Sequence, residues 1–189
     1  MNAENFNIDM LLAMAHSPVH NYAIPGLTSS LIGKPGPNGT VRLFECSRHH
    51  QEQIVPHSHR FDFQCWVLVG CVTNRIWTEA HVDGPDGTNF SENHDWFEVS
   101  EQMYQGEIGR YKTYPRYRRW YRFADKTYYA GDCYSMKAEE IHSIQFSRGA
   151  KVLFLEGKPR VNSVFIEPIV NGEVLRTMQV AKWMFKRGE

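Results

Sequence analysis

Short runs of β-branched and aromatic residues, separated by turn signals, recur along most of this chain of 189 residues. Apolar and polar residues that alternate with a period of two are typical of strands with one buried face. The runs predict strands near residues 41–47, 61–70, 72–80, 128–136, 142–147, 151–155, 163–170 and 173–185. Glycine-containing pairs between the runs, such as Arg148-Gly149 and Asn171-Gly172, predict tight turns. Many short strands indicate an antiparallel sandwich or barrel, of which the jelly roll is one form.

A single helical period lies near the N-terminus. Over residues 4–16, helical spacing places four apolar side chains on one face: Phe6, Met10, Leu11 and Met14. Ser17 and Pro18 are expected to end this helix. We expect it to pack on the outside of the β-structure.

Composition and charge limit the class of protein. The length suits one sizeable core, so we expect a single domain over residues 1–189. The 21 basic and 21 acidic residues cancel, which argues against a global attraction to nucleic acid or to an anionic membrane. Without a membrane-length apolar stretch or a signal-peptide pattern, a cytoplasmic location is expected. The cysteines show no CxxC spacing and are expected to be reduced thiols: Cys46, Cys65, Cys71 and Cys133.

The stretch PHSHRFDFQCWVLVG, residues 56–70, places two histidines one residue apart at the mouth of a strand. In an extended chain alternate side chains share a face, so His57 and His59 project the same way. Imidazole nitrogens are common ligands of transition metals. The pair therefore indicates one half of a metal site.

A second informative stretch is AGDCYSMKAEEIHSI, residues 130–144. Gly131 and Asp132 form a turn, a strand follows, and His142 opens the next strand after a loop. This order resembles the second motif of the cupin superfamily, and HSH followed by Gln64 and Gly70 resembles the first. The similarity covers roughly residues 40–157. It implies an all-β double-stranded β-helix, the cupin jelly-roll barrel, with a core near 40–170 and an insertion between the motifs near 81–125.

The resemblance also implies a metal site. The three histidine ligands of the superfamily fall on His57, His59 and His142, and its usual glutamate ligand falls on Gln64, a neutral amide. The second motif departs as well, since Lys137 and Glu139 stand where many cupins have proline and glycine. A site of three histidines without a carboxylate is similar to that of cysteine dioxygenase and related thiol dioxygenases.

These features lead to a functional hypothesis. We expect a non-heme Fe²⁺ dioxygenase that acts on a small thiol or anionic substrate, with Gln64 and Tyr134 contacting the substrate. Zn²⁺, Mn²⁺ and Ni²⁺ are alternative metals because imidazole suits all of them. The alternatives are a non-oxidative cupin isomerase or hydrolase and a ligand-binding cupin without turnover. Asp62 and Asp132 are candidate partners that orient the ligands.

The insertion contains GRYKTYPRYRRWYRF, residues 109–123, in which six basic residues alternate with aromatic residues. Such a segment could bind single-stranded nucleic acid, or it could form a strand pair that caps the barrel. The neutral whole-chain charge favours the cap, and a lid that presents arginines to an anionic small molecule is a further interpretation. Nucleic-acid binding is not expected. A homodimer through an edge strand, which residues 21–33 could supply, is expected.

Overall fold

The computed structural model describes residues 6–22, 24–33, 36, 39–48, 54–79, 97–104, 111–161, 164–170 and 173–174. Side chains are described over 6–22, 24–33, 36, 39–48, 56–79 and 123–161. One helix, α1, spans Ile8–Met14. Thirteen strands are described: β1 Ala15–His20, β2 Leu27–Ile32, β3 Thr40–Cys46, β4 Ile54–His57, β5 Phe63–Val69, β6 Cys71–Glu79, β7 Phe97–Tyr104, β8 Tyr111–Tyr129, β9 Cys133–Met136, β10 Ile141–Phe146, β11 Lys151–Glu156, β12 Val164–Val170 and β13 Glu173–Val174.

The strands form two antiparallel sheets. The first has the order β1-β2-β3-β11-β5-β9, and the second has the order β13-β12-β4-β10-β6-β8-β7, with a further pairing between β12 and β7. Successive strands from β3 to β6 alternate between the two sheets, and β9 and β10 do the same. This is the strand order of a double-stranded β-helix, so the predicted all-β fold with a short N-terminal helix is confirmed.

The main core lies between the two sheets. Side chains from the first sheet, including Phe44, Phe63 and Val152, pack against Val72 and Phe146 of the second. These residues come from the apolar positions of alternating runs, as expected for strands with one buried face. The two sheets therefore pack against each other through this core.

A smaller apolar cluster covers the outer face of the first sheet. Leu11 of α1 is buried there with Leu43, Trp66 and Leu153, and the Phe6 ring meets the Trp66 ring edge-on at 5.6 Å. The strand β5 thus buries both of its faces, because Phe63 and Val67 point into the main core while Trp66 points under the helix. The helix packs outside the sheets, as predicted.

The helix is shorter than predicted. Asn7 caps its N-terminus, with its side-chain Oδ1 accepting a hydrogen bond from the Met10 amide at 3.0 Å. The chain becomes extended at Ala15, and residues 15–20 form β1 instead of a last helical turn. The residue before a proline is disfavoured in helical conformation, which explains why Ser17 cannot continue the helix.

Six of the predicted strands are confirmed with shifts of one or two residues, those at 41–47, 61–70, 72–80, 142–147, 151–155 and 163–170. The predicted strand at 128–136 is broken by a turn at Gly131, which has a φ of 99°. The predicted runs did not include β1, β2, β4, β7 or most of β8. Of the predicted strand at 173–185 only β13 lies within the described residues.

The insertion between the motifs contains a strand pair. The strand β8 pairs antiparallel with β7 along its first part and with β6 along its second part. The basic and aromatic stretch therefore has strand backbone from Tyr111 onward, as expected for a cap. Residues 81–96 and 105–110 lie outside the described part of the chain, as do the side chains of residues 111–122.

Three further sequence predictions can be compared with the structure. Cys46, Cys65, Cys71 and Cys133 are all free thiols, the first two buried. Residues 27–32 of the segment proposed for a dimer edge are paired on both sides, and β1 is instead the edge strand of the first sheet; the homodimer stays a prediction. Across the described residues, the structure contains no helix with the length and apolar character needed to span a membrane.

Candidate metal centre

Three imidazoles from distant parts of the sequence meet at one end of the core. His57 is the last residue of β4, His59 follows two residues later in the loop to β5, and His142 is the second residue of β10. Antiparallel pairing makes His57 and His142 direct partners on neighbouring strands. Both predicted motifs therefore deliver their histidines to the same place in a double-stranded β-helix. The two sheets have the strand order of a double-stranded β-helix, as predicted.

The imidazole rings are in mutual contact. Ring centroids lie 4.8 Å apart for His57 and His59, 4.9 Å for His57 and His142, and 5.2 Å for His59 and His142. One nitrogen from each ring can be chosen so that all three lie within 4.8 Å of one another. The sequence predicted this convergence, and the structure confirms it as a cluster able to hold a metal ion.

The separation of the ring nitrogens fits a shared ion. The Nε2 atoms of His59 and His142 are 2.9 Å apart. Two nitrogens that bind one ion at about 2.1 Å, at angles between a right angle and the tetrahedral value, lie about 3.0 to 3.4 Å apart. The observed separation lies about 0.1 Å below that range. Among the residues whose side chains are described, no carboxylate or thiol joins the three imidazoles.

Burial keeps two of these imidazoles neutral. The pKa of His59 lies well below its usual value, first because burial disfavours the charged ring and second because of His57. Burial also lowers the pKa of His142, and the two neighbouring histidines lower it further. A neutral imidazole keeps the lone pair that a metal ion needs. At neutral pH the cluster is therefore ready to bind a cation.

A buried amide orients His142 from the other side of its ring. The Nδ1 atom of His142 lies 3.0 Å from Oδ1 of Asn74 on the neighbouring strand β6. An amide oxygen only accepts hydrogen bonds, so Nδ1 carries the proton and Nε2 keeps its lone pair. Sequence reasoning missed Asn74, because a single asparagine between Thr73 and Arg75 gives no signal until the pairing of β6 with β10 is known.

The two aspartates expected to orient the ligands have other partners. Asp62 accepts hydrogen bonds from the Ala138 amide at 2.8 Å and from Arg160, and Asp132 accepts one from the Tyr129 amide at 2.7 Å. Neither aspartate forms a described hydrogen bond with the ligand histidines. The prediction that an aspartate orients a ligand histidine was wrong for His142, because its described partner is the amide of Asn74.

Aromatic rings surround the imidazoles on the core side. The centroid of Phe63 lies 4.6 Å from that of His59 and 5.8 Å from that of His142. Phe61 and Phe154 lie at 5.6 and 6.1 Å from His59. The cluster therefore has an apolar wall that excludes water on this side.

Gln64 does not join the imidazoles. Its side chain is exposed and lies on the face of β5 opposite to Phe63, where it lines a shallow outer cleft with Ser135, Lys137 and Leu155. The alternation of side chains along β5 gives the reason, because Phe63 points into the core and its neighbour must point out. The structure thus separates Gln64 from the site in which the motif comparison placed it.

Tyr134 lies near the site but is screened from it. Its ring stacks on Tyr128 at 4.3 Å and meets Phe63 at 6.3 Å, with Phe63 lying beside the imidazoles. Its hydroxyl group is buried and makes no hydrogen bond of good geometry. Burial raises the pKa of Tyr134, and the adjacent Cys65 raises it further. Tyr134 is therefore a neutral phenol in the core and not a wall of the metal cluster.

An ion-pair network ties together the loops around the site. The Arg160 guanidinium binds Asp62 at 2.6 Å and also Glu139, while the Arg160 amide donates to the Arg60 carbonyl at 2.7 Å. These contacts join the loop that carries His59, the loop before β10 and the segment after β11. Glu139, which stands where many cupins have glycine, is thus one of the two carboxylates that bind Arg160.

Comparisons with known proteins give distant structural neighbours. No protein-family model matches the sequence, and no characterised protein matches it either. The structure is similar to KdgF from Halomonas sp., with a TM-score of 0.40 at 14% identity over 77% of this chain and 90% of that one. It is also similar to oxalate decarboxylase from Lactobacillus farciminis, with a TM-score of 0.42 at 12% identity over 79% of this chain and 32% of that one. Hydroquinone 1,2-dioxygenase from Sphingomonas sp. TTNP3 gives a TM-score of 0.39 at 13% identity over 69% of this chain and 65% of that one.

Proposed function

We propose that this protein is a non-heme Fe²⁺ dioxygenase that acts on a small thiol or anionic substrate. The observation that carries the proposal is the cluster of His57, His59 and His142, in which no described carboxylate takes part. Three neutral imidazole ligands do not reduce the charge of a divalent ion, so the site would keep a net charge of about +2. Such a site suits an anionic ligand such as a thiolate or a carboxylate.

The histidines of the chain would hold the metal, and Fe²⁺ with open positions would supply a place for O₂ and substrate to meet. Phe61, Phe63 and Phe154 form a dry wall beside His59. This wall excludes bulk water from the reacting groups and limits the site to a small substrate. The neutral imidazoles need not lose a proton when the ion enters.

The strand pair β7–β8 is suited to be a lid. Phe165 of β12 is the backbone partner of His57 on one side and of Gln102 of β7 on the other. Two strand spacings of about 4.8 Å place β7 about 10 Å from the strand of His57. The strand β8, which carries most of the basic segment 109–123, pairs with β7 and lies one strand spacing further. We propose that this segment attracts an anionic substrate towards the metal.

The first test measures the metal. The protein is purified without a histidine tag, its metal content is determined by elemental analysis, and the metal-free form is reconstituted anaerobically with Fe²⁺. Nitric oxide, which replaces O₂ and makes high-spin Fe²⁺ visible by electron paramagnetic resonance, should give a signal in the wild type and none in His59→Ala. Absence of a signal in stoichiometrically loaded wild type would refute open positions on iron.

The second test measures turnover. Oxygen uptake that requires Fe²⁺ is recorded with a panel of small thiols and a panel of small carboxylates and phenols. Stimulation by one panel identifies the substrate class, and Gln64→Ala should keep the activity. Turnover with Zn²⁺ or Mn²⁺ under anaerobic conditions would instead establish a non-oxidative isomerase or hydrolase. Ligand binding without turnover in any panel would establish a binding protein.

A further inference from the structure

Two buried polar groups lie behind the metal centre without good partners. Asn74 is fully buried and Tyr134 is only 6% exposed, yet the Asn74 Nδ2 atom and the Tyr134 hydroxyl form no hydrogen bond of good geometry. Buried polar groups without partners are rare because each one costs free energy. Asn74 and Tyr134 lie on the two facing sheets of one core, so we consider whether their side chains interact with each other.

The two groups lie in the same part of the core, because Tyr134 stacks on Tyr128 at 4.3 Å and Tyr128 pairs with Val72, two residues before Asn74 on β6. Beside burial and Cys65, which raise the pKa of Tyr134, the Asn74 side chain lowers it through a hydrogen-bonding interaction. On its other side the same amide contacts His142 through Oδ1 at 3.0 Å. A line of polar groups therefore runs from the His142 ring through Asn74 to the Tyr134 hydroxyl.

We propose that Asn74 is a positioning residue of the metal centre, and that Tyr134 holds Asn74 in its working orientation. Oδ1 of Asn74 fixes the proton of His142 on Nδ1, which leaves Nε2 facing His59 with a free lone pair. If the amide turned over, its Nδ2 group would donate to Nδ1, and the His142 proton would move to Nε2 and block the metal. The phenol hydroxyl would oppose this rotation as an acceptor for Nδ2, although the two groups do not form a hydrogen bond of good geometry in this structure.

This inference rests on the metal centre of the proposed function and not on its oxygen chemistry. It gives Tyr134 a role that differs from the substrate contact expected from the sequence, because Tyr134 acts through Asn74. Metal affinity and the position of one proton test it without any turnover. A failure of the dioxygenase proposal would therefore leave it standing, and its own failure would leave the dioxygenase proposal standing.

Four variants separate positioning from simple packing. Asn74→Asp keeps an oxygen acceptor in the same place, Asn74→Leu keeps the volume without an acceptor, and Tyr134→Phe removes only the hydroxyl. The matched control is Thr73→Val on the same strand, which removes the 2.9 Å hydrogen bond to Thr127 on β8 and leaves His142 untouched. Each is compared with the wild type in the metal-free form and during titration with Co²⁺, whose visible spectrum reports ligand binding.

The expected results are specific. Asn74→Leu should weaken Co²⁺ binding by about 10- to 100-fold, as for the loss of other groups that orient metal ligands. Asn74→Asp should restore most of the affinity, Tyr134→Phe should lose less than Asn74→Leu, and Thr73→Val should bind like the wild type. In the metal-free protein, ¹⁵N spectra of the histidines should place the His142 proton on Nδ1, with the signal assigned by its loss in His142→Gln.

Two results would overturn the proposal. One is a His142 proton on Nε2 in the metal-free wild type, a result that does not require the Asn74 or Tyr134 variants to fold. The other is wild-type Co²⁺ affinity in both Asn74→Leu and Tyr134→Phe. If Asn74→Leu does not fold, Tyr134→Phe and the ¹⁵N spectrum of the wild type still decide the question.

Discussion

The backbone amide of His59 donates a hydrogen bond of 2.9 Å to the carbonyl oxygen of Ala138, a residue in the loop that leads to His142. Asp62 ties the same two loops a second time, since its side chain accepts from the Ala138 amide at 2.8 Å. The separation of the metal ligands is therefore set by a pair of linked loops as well as by the strands that carry His57 and His142.

The histidine ligands can be removed one at a time. His57→Ala, His59→Ala and His142→Ala should each lose most of the bound metal, because no described carboxylate remains to compensate. Gln64→Ala should keep stoichiometric metal, since its side chain is exposed on the other face of β5. Elemental analysis after removal of loosely bound ions measures both. Full occupancy in all three histidine variants would refute the metal centre.

Loosening the loops should weaken the site without removing a ligand. Arg160→Met removes the cation that joins Asp62 and Glu139, so we expect weaker Co²⁺ binding than in the wild type but stronger binding than in His59→Ala. The control is Lys151→Met, which breaks the 2.7 Å ion pair with Glu45 at the first residue of β11. Equal affinities in the Arg160 and Lys151 variants would contradict a role for the loops.

The same network predicts a pH dependence of stability. Arg160 is the main cause that lowers the pKa of Asp62 to about 2, and it also lowers the pKa of Glu139. A carboxyl whose pKa falls on folding stabilises the protein above its unfolded pKa, which is about 3.9 for aspartate. That contribution is lost as the pH falls from about 4 towards 2. The difference in melting temperature between wild type and Arg160→Met should therefore be constant near neutrality and shrink below about pH 4, whereas a constant difference down to pH 2.5 would argue against it.

Two features favour glycine at position 70, its positive φ and a close neighbouring side chain. The free-energy cost of each feature can be measured separately. Gly70 has a φ of 73°, and a Cβ atom there would lie 2.6 Å from Ser147 Oγ. Gly33 has a φ of 71°, and a Cβ atom there would have no described neighbour within 4 Å. Gly33→Ala should cost about 1–2 kcal/mol of unfolding free energy for its backbone conformation alone. Gly70→Ala should cost more, because Ser147 must also move; urea denaturation compares the two, and equal costs would mean that the contact relaxes freely.

Phe63 is expected to be the main apolar support of the site. It is 3% exposed and contacts the rings of His59, His142 and Phe154. Phe63→Ala should lower the free energy of unfolding by about 3–5 kcal/mol, since it removes contacts and leaves a cavity. Chemical denaturation of the metal-free protein measures this loss. A cost below that of Gly33→Ala would show that Phe63 is not part of a tightly packed core.

The fold and the ligands were predictable from the sequence because they depend on local patterns. Alternation along residues 63–69 indicated β5, and the spacing of His57 and His59 indicated two ligands with a common direction. His142 required the order of turn, strand and loop in the second motif. Each of these patterns lies within a short stretch of the sequence, so it can be recognised without knowledge of the strand pairing.

The supporting residues were not predictable in the same way. The function of Asn74 depends on its position beside His142 on a neighbouring strand, and the whole insertion separates these two strands in the sequence. Asp62 was expected to orient a histidine, but Arg160, 98 residues later, takes it as an ion-pair partner. Gln64 was assigned from motif position, although the alternation of β5 already directs it outwards. Contacts that depend on sheet register require the structure.

The strand β6, which carries Asn74, is hydrogen bonded on both sides, to β10 and to β8. Amides in such a central strand exchange with solvent only when a large part of the structure opens, whereas those of the edge strand β1 exchange through local fraying. The support behind His142 should therefore belong to the slowest-exchanging part of the protein. Loss of metal would leave the amides of that strand protected from exchange. The metal-free protein would therefore have a preformed metal site, and metal binding would not require folding.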